Sequence, residues 1–284
     1  MAEFSPLITA TELRHRLADP EWRILDCRFE LMQPAAGREL WLQGHIPGAV
    51  FADLDRDLAA PITGTSGRHP LPDMRTAAET FGRLGIGNGT YVVVYDADNG
   101  GIAARAWWML RLLGHERVAL LDGGLGCWER EGLPLEDGDV DVTPATFNPD
   151  PRPGCVMTTN EVEAGVREGA ELRLLDARAG PRFRGEAEPI DAAAGHVPGA
   201  TNLPFSDLLK PDGRWKSATE IRRLLEAALG DVTSAPWAAM CGSGVTACHL
   251  ALAARLSGVS EPRIYVGSWS EWIRDTNRPV ATGP

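Results

Sequence analysis

Trp237-Ala238-Ala239-Met240-Cys241-Gly242-Ser243-Gly244-Val245-Thr246-Ala247 joins an apolar run of buried-strand length to a helical pattern. Beyond it, Val245, Leu250, Leu252, Ala253 and Leu256 share one side of a helix expected to stop before Gly258. A cysteine at such a turn, with two glycines in the next three residues, sits where main-chain N–H groups can converge on one anion. Residues 242 to 246 contain no proline, so each carries a donor, and Gly242 and Gly244 allow the dihedrals that turn donors inward. The positive end of a helix adds to this field, and cysteines so placed ionise with a pKa of about 3.5–7.5. Most cysteines are small buried hydrophobes, and Cys27, Cys127, Cys155 and Cys248 are expected to be that. Cys241 is expected to be a nucleophile.

Working outward, the chain repeats itself. Thr9 with Glu12, and Thr158 with Glu161, have capping-box spacing at the start of a helix. Short strands follow, Arg23 to Asp26 and Leu172 to Asp176, each ending in Asp-x-Arg. Gly44-His45-Ile46-Pro47-Gly48-Ala49 recurs as Gly195-His196-Val197-Pro198-Gly199-Ala200, and because both copies keep the histidine it is assigned to turn structure. Thr76 with Glu79, and Ser217 with Glu220, read as a second pair of capping boxes. Tyr91 to Tyr95 matches the strand before Cys241, so Asp96 stands where the cysteine stands in the second copy; a helix from about Ala103 to Leu113 follows. Val118 to Leu121 and Arg263 to Val266 close the two copies, with Trp128 and Trp272 in the helical turns beyond. The offset is 149 from Thr9 to Thr158, 150 from Asp26 to Asp176 and 144 from Trp128 to Trp272, too regular for chance. Alternating strands and helices imply two α/β domains with mostly parallel sheets. The first spans 1–136 and the second 155–284; residues 137–154, rich in Pro, Asp and Gly, read as an exposed linker. Such sheets bind ligands beyond the carboxyl ends of their strands, which is where Cys241 falls.

Composition narrows the function. A chain of 284 residues with a formal charge of −11 is poorly suited to nucleic acid or an anionic membrane as main partner. No apolar run is long enough to span a bilayer, and the first residues do not read as a signal peptide. Five widely spaced cysteines suggest neither a disulfide framework nor a zinc site, and point to a reducing cytoplasm. The nine tryptophans are expected mainly in the core. A phosphatase loop needs an arginine after Cys-x5, but the required position holds Ala247 in a loop one residue short.

The paired Asp-x-Arg ends, the two His-x-Pro-Gly-Ala turns and Cys241-Gly242-Ser243-Gly244-Val245-Thr246-Ala247 resemble tandem rhodanese-domain sulfurtransferases. The cysteine loop is similar to that of the 3-mercaptopyruvate sulfurtransferases. The resemblance implies a catalytically silent first domain, a nucleophile in the second within an interdomain cleft, and no metal or organic cofactor. It implies a persulfide formed on Cys241 from a small sulfur donor, then passed to a thiol such as thioredoxin or to cyanide. Donor contacts are expected from Arg182, which matches the carboxylate-holding arginine, and from Gly242, Gly244, Val245 and Thr246 of the loop. Ser243, His69 and Asp55 match a proton-relay set. Relatives that use thiosulfate carry basic residues directly after the cysteine, where this chain has neutral Gly242 and Ser243. That favours mercaptopyruvate, since one charge about 4 Å away is worth about 1–4 kcal/mol. Against it, Glu188-Pro189-Ile190-Asp191 lacks a second carboxylate-binding arginine after the proline; Arg105 and Arg184 are candidate replacements. Thiosulfate:cyanide transfer, or a persulfide carrier with little turnover, are the alternatives.

Overall fold

A computed structural model describes residues 4–169, 173–232 and 235–284. The chain sorts into two compact units that are not simple halves. The first holds the residues up to 60, 71–152 and 210–215; the second holds 61–70, 153–209 and 216–284.

In the first unit, β1 (Leu7–Ile8), β2 (Trp22–Asp26), β3 (Ala49–Phe51), β4 (Tyr91–Tyr95) and β5 (Val118–Leu121) form an all-parallel sheet in the order β1-β5-β4-β2-β3. The second unit repeats this order with β6 (Val156–Met157), β7 (Leu174–Asp176), β8 (Thr201–Asn202), β9 (Ala238–Met240) and β10 (Arg263–Tyr265), as β6-β10-β9-β7-β8. Parallel neighbours need crossovers, which carry helices, and one further helix follows the last strand of each sheet. In the first unit they are α1 (Ala10–Arg14), α2 (Ala36–Gln43), α3 (Met74–Arg83), α4 (Ala103–Leu112) and α5 (Gly124–Arg130). In the second they are α6 (Thr159–Glu168), α7 (Gly180–Phe183), α8 (Ala218–Leu229), α9 (Ala247–Ser257) and α10 (Ser268–Trp272). No described helix is long and apolar enough to cross a membrane.

The two-domain α/β architecture is the expected one, and the capping boxes at Thr9, Thr158 and Ser217 are formed. The fourth box is not. Asp73, rather than Thr76, caps α3, accepting N–H bonds from Arg75 and Thr76. Register already favoured it: Asp73 lies 144 residues before Ser217, the Trp128–Trp272 offset, whereas Thr76 lies 141 before it. The stretch before His45 contains α2, and Leu172 lies outside the described residues. Residues 137–152 are laid along the first unit by main-chain bonds from Gly138 to Leu42, Ala145 to Gly82 and Asp150 to Leu113. Cys27, Cys127 and Cys248 are buried as expected, while Cys155 is only half-buried.

The repeated motifs have one structural task. Arg178 turns back onto the end of β7, with Nη2 2.6 Å from Asp176 Oδ2, and the same nitrogen donates to Gly195 O at 2.7 Å. Arg28 does likewise with Asp26 and Gly44, both at 2.7 Å. A buried ion pair thereby ties each strand end to its glycine turn. His45 and His196 pair through Nδ1 with the carbonyls of Trp41 and Phe183 and stack on those rings, so both are structural.

Candidate functional site

Cys241 follows β9, the middle strand of the second sheet, and its loop leads into α9. The side chain is buried, and the Gly244 N–H donates to Sγ at 3.1 Å. This geometry requires glycine. Gly244 has φ +76°, and a Cβ there would lie 2.3 Å from the Val266 carbonyl oxygen, a main-chain atom that cannot swing aside. The Cys241 N–H is held by the Ser268 hydroxyl at 3.1 Å, which itself donates to Tyr265 O at 2.7 Å. The Cys241 and Gly242 carbonyls accept from the Trp269 and Ser270 N–H groups. The loop is therefore fastened to the start of α10. Ser268 is left-handed at φ +52°, the conformation of Gly124 144 residues earlier, and nothing in the sequence marked it for this role.

The first unit shows what such a loop does with an anion. At the matching position Asp96 accepts N–H bonds from Gly100 at 2.8 Å, Ile102 at 2.9 Å and Ala103 at 3.0 Å, at the start of α4. Burial pushes this carboxyl above its ordinary value, against the N–H bonds that work to lower it. The cradle in this unit is filled by the chain's own side chain.

Residues 61–70 belong to the second unit and bring two side chains to the cysteine loop. The Gly67 N–H donates to Glu271, and the Arg68 N–H donates to the Ser270 hydroxyl at 3.0 Å. A Cβ on Gly67 would lie 2.6 Å from Gly267 O, so only glycine permits this approach. His69, picked from sequence as a loop residue, is buried with Nδ1 2.8 Å from Ser243 Oγ. Asp55 belongs to the first unit; it is exposed, and its N–H donates to Asp53. Partial desolvation of the carboxyl and the neighbouring Asp53 charge raise its pKa.

Arg182, at the end of α7, is half-buried and already occupied. Its Nε donates to both Glu188 oxygens at 3.0 and 2.9 Å, and Nη2 lies 2.9 Å from Asp191 Oδ2. Burial works to raise the Glu188 carboxyl, but bonds from Arg182 and from the Asp191 and Ile190 N–H groups outweigh it and hold it below the ordinary value. The turn Glu188-Pro189-Ile190-Asp191 thus folds two acids back onto Arg182 while Ile190 is exposed. The suggested replacement arginines have partners of their own. Arg184 pairs with Glu186 at the surface, and Arg105 is buried inside the first unit, donating to Leu58 O.

The space beside the cysteine is not as neutral as Gly242 and Ser243 suggested. A Cβ added at Gly242 would lie 3.1 Å from Arg68 Nη2, 3.6 Å from Arg182 Nη2 and 3.7 Å from Asp191 Oδ2. Arg68 and Asp191 form an ion pair. Sequence reasoning missed Arg68, although it adjoins His69. Val245 is buried and Thr246, before α9, is half-buried, so the loop residues differ in access.

Comparison with known proteins gives the family and the fold. The model of the rhodanese-like domain matches residues 9–131 and 158–275. The chain is 47% identical over 279 residues to a Pseudomonas aeruginosa protein named as a 3-mercaptopyruvate sulfurtransferase, covering 98% of each. It is 40% identical over 284 residues to a Mycobacterium tuberculosis protein named as a thiosulfate sulfurtransferase, SseB, covering 98% of this chain and 97% of that one. Among solved structures it is similar to the 3-mercaptopyruvate sulfotransferase SseA of Escherichia coli, with a TM-score of 0.81 and 34% identity over 94% of this chain and 99% of that one.

Proposed function

The chain belongs to the rhodanese-like family, and from that premise we propose that it is a sulfurtransferase taking sulfur from 3-mercaptopyruvate through a persulfide on Cys241. The Cys241 thiolate attacks the donor sulfur; the S–S bond forms as the donor C–S bond breaks, and the electron pair leaves on carbon as the enolate of pyruvate. The donor thiol loses a proton and the enolate carbon gains one. A thiol such as thioredoxin, or cyanide, then attacks the outer sulfur and regenerates the Cys241 thiolate. The Gly244 N–H stabilises negative charge on sulfur, and Arg182 receives the donor carboxylate. The first domain, with Asp96 in the cysteine's place, carries no sulfur.

One observation carries the choice of donor: His69 and Ser243 in contact at 2.8 Å, two residues from the nucleophile. Mercaptopyruvate needs a proton moved between sulfur and carbon, and a serine backed by histidine supplies that path. Thiosulfate releases sulfite without protonating carbon and has no use for it. Asp55 is proposed as the third member of the relay, on its motif match. The reaction belongs in a reducing cytoplasm, where thiol acceptors are abundant.

The test is kcat/KM for both donors with cyanide as acceptor and thiocyanate formation as the common readout, pyruvate release being followed as well for mercaptopyruvate. Mercaptopyruvate is expected to be preferred, and Cys241→Ser to release none. A clear thiosulfate preference would move the chain to the second reading, thiosulfate:cyanide transfer, which the isoleucine at position 190 favours. A mass gain of one sulfur atom without repeated pyruvate release would instead indicate a carrier.

A further inference from the structure

We propose that Arg68 is a donor-binding residue that completes a two-arginine carboxylate subsite with Arg182, and that Asp191 is an internal carboxylate occupying this subsite until the donor displaces it. The inference refines the reading above by naming what recognises the donor's anionic end. Four observations carry it, all within the second unit.

First, Arg68 and Arg182 converge on one carboxylate from two sides: Asp191 Oδ1 pairs with Arg68 Nη1, and Oδ2 with Arg182 Nη2 at 2.9 Å. Two guanidiniums sharing a carboxylate are a recognition geometry, and here the ligand is the chain's own. Second, the three groups meet over Gly242, next to the nucleophile, where any side chain would project among them. Glycine keeps that space open. Third, the arginines are not sealed in: their side chains remain 21% and 16% exposed, so an incoming anion can reach them, whereas Asp191 is 4% exposed beneath. Fourth, Arg68 Nε is buried without a hydrogen-bond partner among the described residues, so a donor of the fork is left for another acceptor. The segment that delivers Arg68 is fixed by Gly67 and Ser270, so the placement is built and not incidental.

Charge bookkeeping gives the subsite its selectivity. Arg68 and Arg182 against Glu188 and Asp191 sum to zero, so the resting subsite has little net pull on a dianion. A single carboxylate of similar size and charge to that of Asp191 can replace it between the arginines.

The experiment measures alkylation of Cys241 by iodoacetate, a small carboxylate, and by neutral iodoacetamide, with the labelled peptide identified by mass. The ratio of the two rates cancels changes in thiol ionisation and reads the subsite alone. Arg68→Met is expected to lower the ratio by about fivefold to tenfold, and Asp191→Asn to raise it by a similar factor, the size set by one partly screened charge pair. KM for mercaptopyruvate should rise in Arg68→Met and fall in Asp191→Asn, with kcat within about twofold in both. A ratio in folded Arg68→Met equal to that of the wild type overturns the proposal. If that variant does not fold, an unchanged ratio in the near-isosteric Asp191→Asn overturns it equally. A wild-type enzyme that ignores mercaptopyruvate would defeat the donor assignment, and the alkylation ratio would still decide this one.

Discussion

Alanine in place of Gly244 and alanine in place of Gly242 make the same chemical change two residues apart, yet opposite outcomes are expected. At Gly244 the added methyl would lie 2.3 Å from Val266 O and 2.9 Å from Val266 Cα, in a residue with φ +76°. Leaving the left-handed region is not open to it without moving the N–H that meets Cys241 Sγ. The left-handed conformation costs a non-glycine residue about 1–2 kcal/mol, and overpacking against fixed main chain typically costs about 1–3 kcal/mol more. Gly244→Ala should therefore destabilise the second unit by about 2–5 kcal/mol. If the loop shifts to relieve the clash, the bond to sulfur goes. A hydrogen bond to a charged group is worth about 1.5–3 kcal/mol, which corresponds to a loss of about tenfold or more in sulfur loading. At Gly242 the nearest atom is the tip of the Arg68 side chain at 3.1 Å, and the backbone needs no left-handed φ. Gly242→Ala should keep its stability and disturb only the donor KM. The assays are thermal or denaturant unfolding, followed beside single-turnover persulfide formation. Gly244→Ala with wild-type stability and wild-type loading would refute the claim that this glycine holds the amide on the sulfur.

Other expectations follow from single contacts. Ser243→Ala and His69→Asn should each lower kcat with mercaptopyruvate by about 10²–10⁴-fold, the usual range for proton transfer by a side chain, and leave thiosulfate turnover nearly unchanged; equal losses with both donors would refute the relay. Asp96→Asn faces an amide toward main-chain donors and should destabilise the first unit by about 1–3 kcal/mol, read by chemical denaturation, with sulfur loading of Cys241 unaffected. Glu161 is held down to about 2 by hydrogen bonds from Arg263 and then Thr158. Its contribution should be complete above the ordinary carboxyl value of 4.5 and fade as pH falls from there toward 2. Glu161→Gln should flatten that part of the acid unfolding profile, and an unchanged profile would show the bonds to be absent in solution. Asp73→Ala should remove about 1 kcal/mol through loss of the α3 cap, whereas Thr76→Ala should cost less; the reverse order in denaturation midpoints would restore the box at Thr76.

By itself the sequence determined the duplicated α/β architecture and most strand positions, and it singled out one cysteine as the candidate nucleophile. These are local or periodic properties: apolar runs such as Tyr91 to Tyr95, capping pairs such as Ser217 with Glu220, and the Cys-Gly-x-Gly order at Cys241, which no other cysteine of the chain shows. Short edge strands such as Leu7–Ile8 and Thr201–Asn202 were illegible because two residues carry no period and are strands only through their neighbours. Tertiary structure alone decided the charge around Cys241. Arg68 lies 173 residues from Cys241 in the chain, and Asp191 lies 123 from Arg68; electrostatic fields fall with distance in space, and sequence separation says nothing about that. Neutral residues beside Cys241 in the chain therefore gave an incomplete picture of a loop that two arginines approach from elsewhere in the fold. The same separation hid the contact of His69 with Ser243, which only the anchoring of Gly67 against α10 brings about.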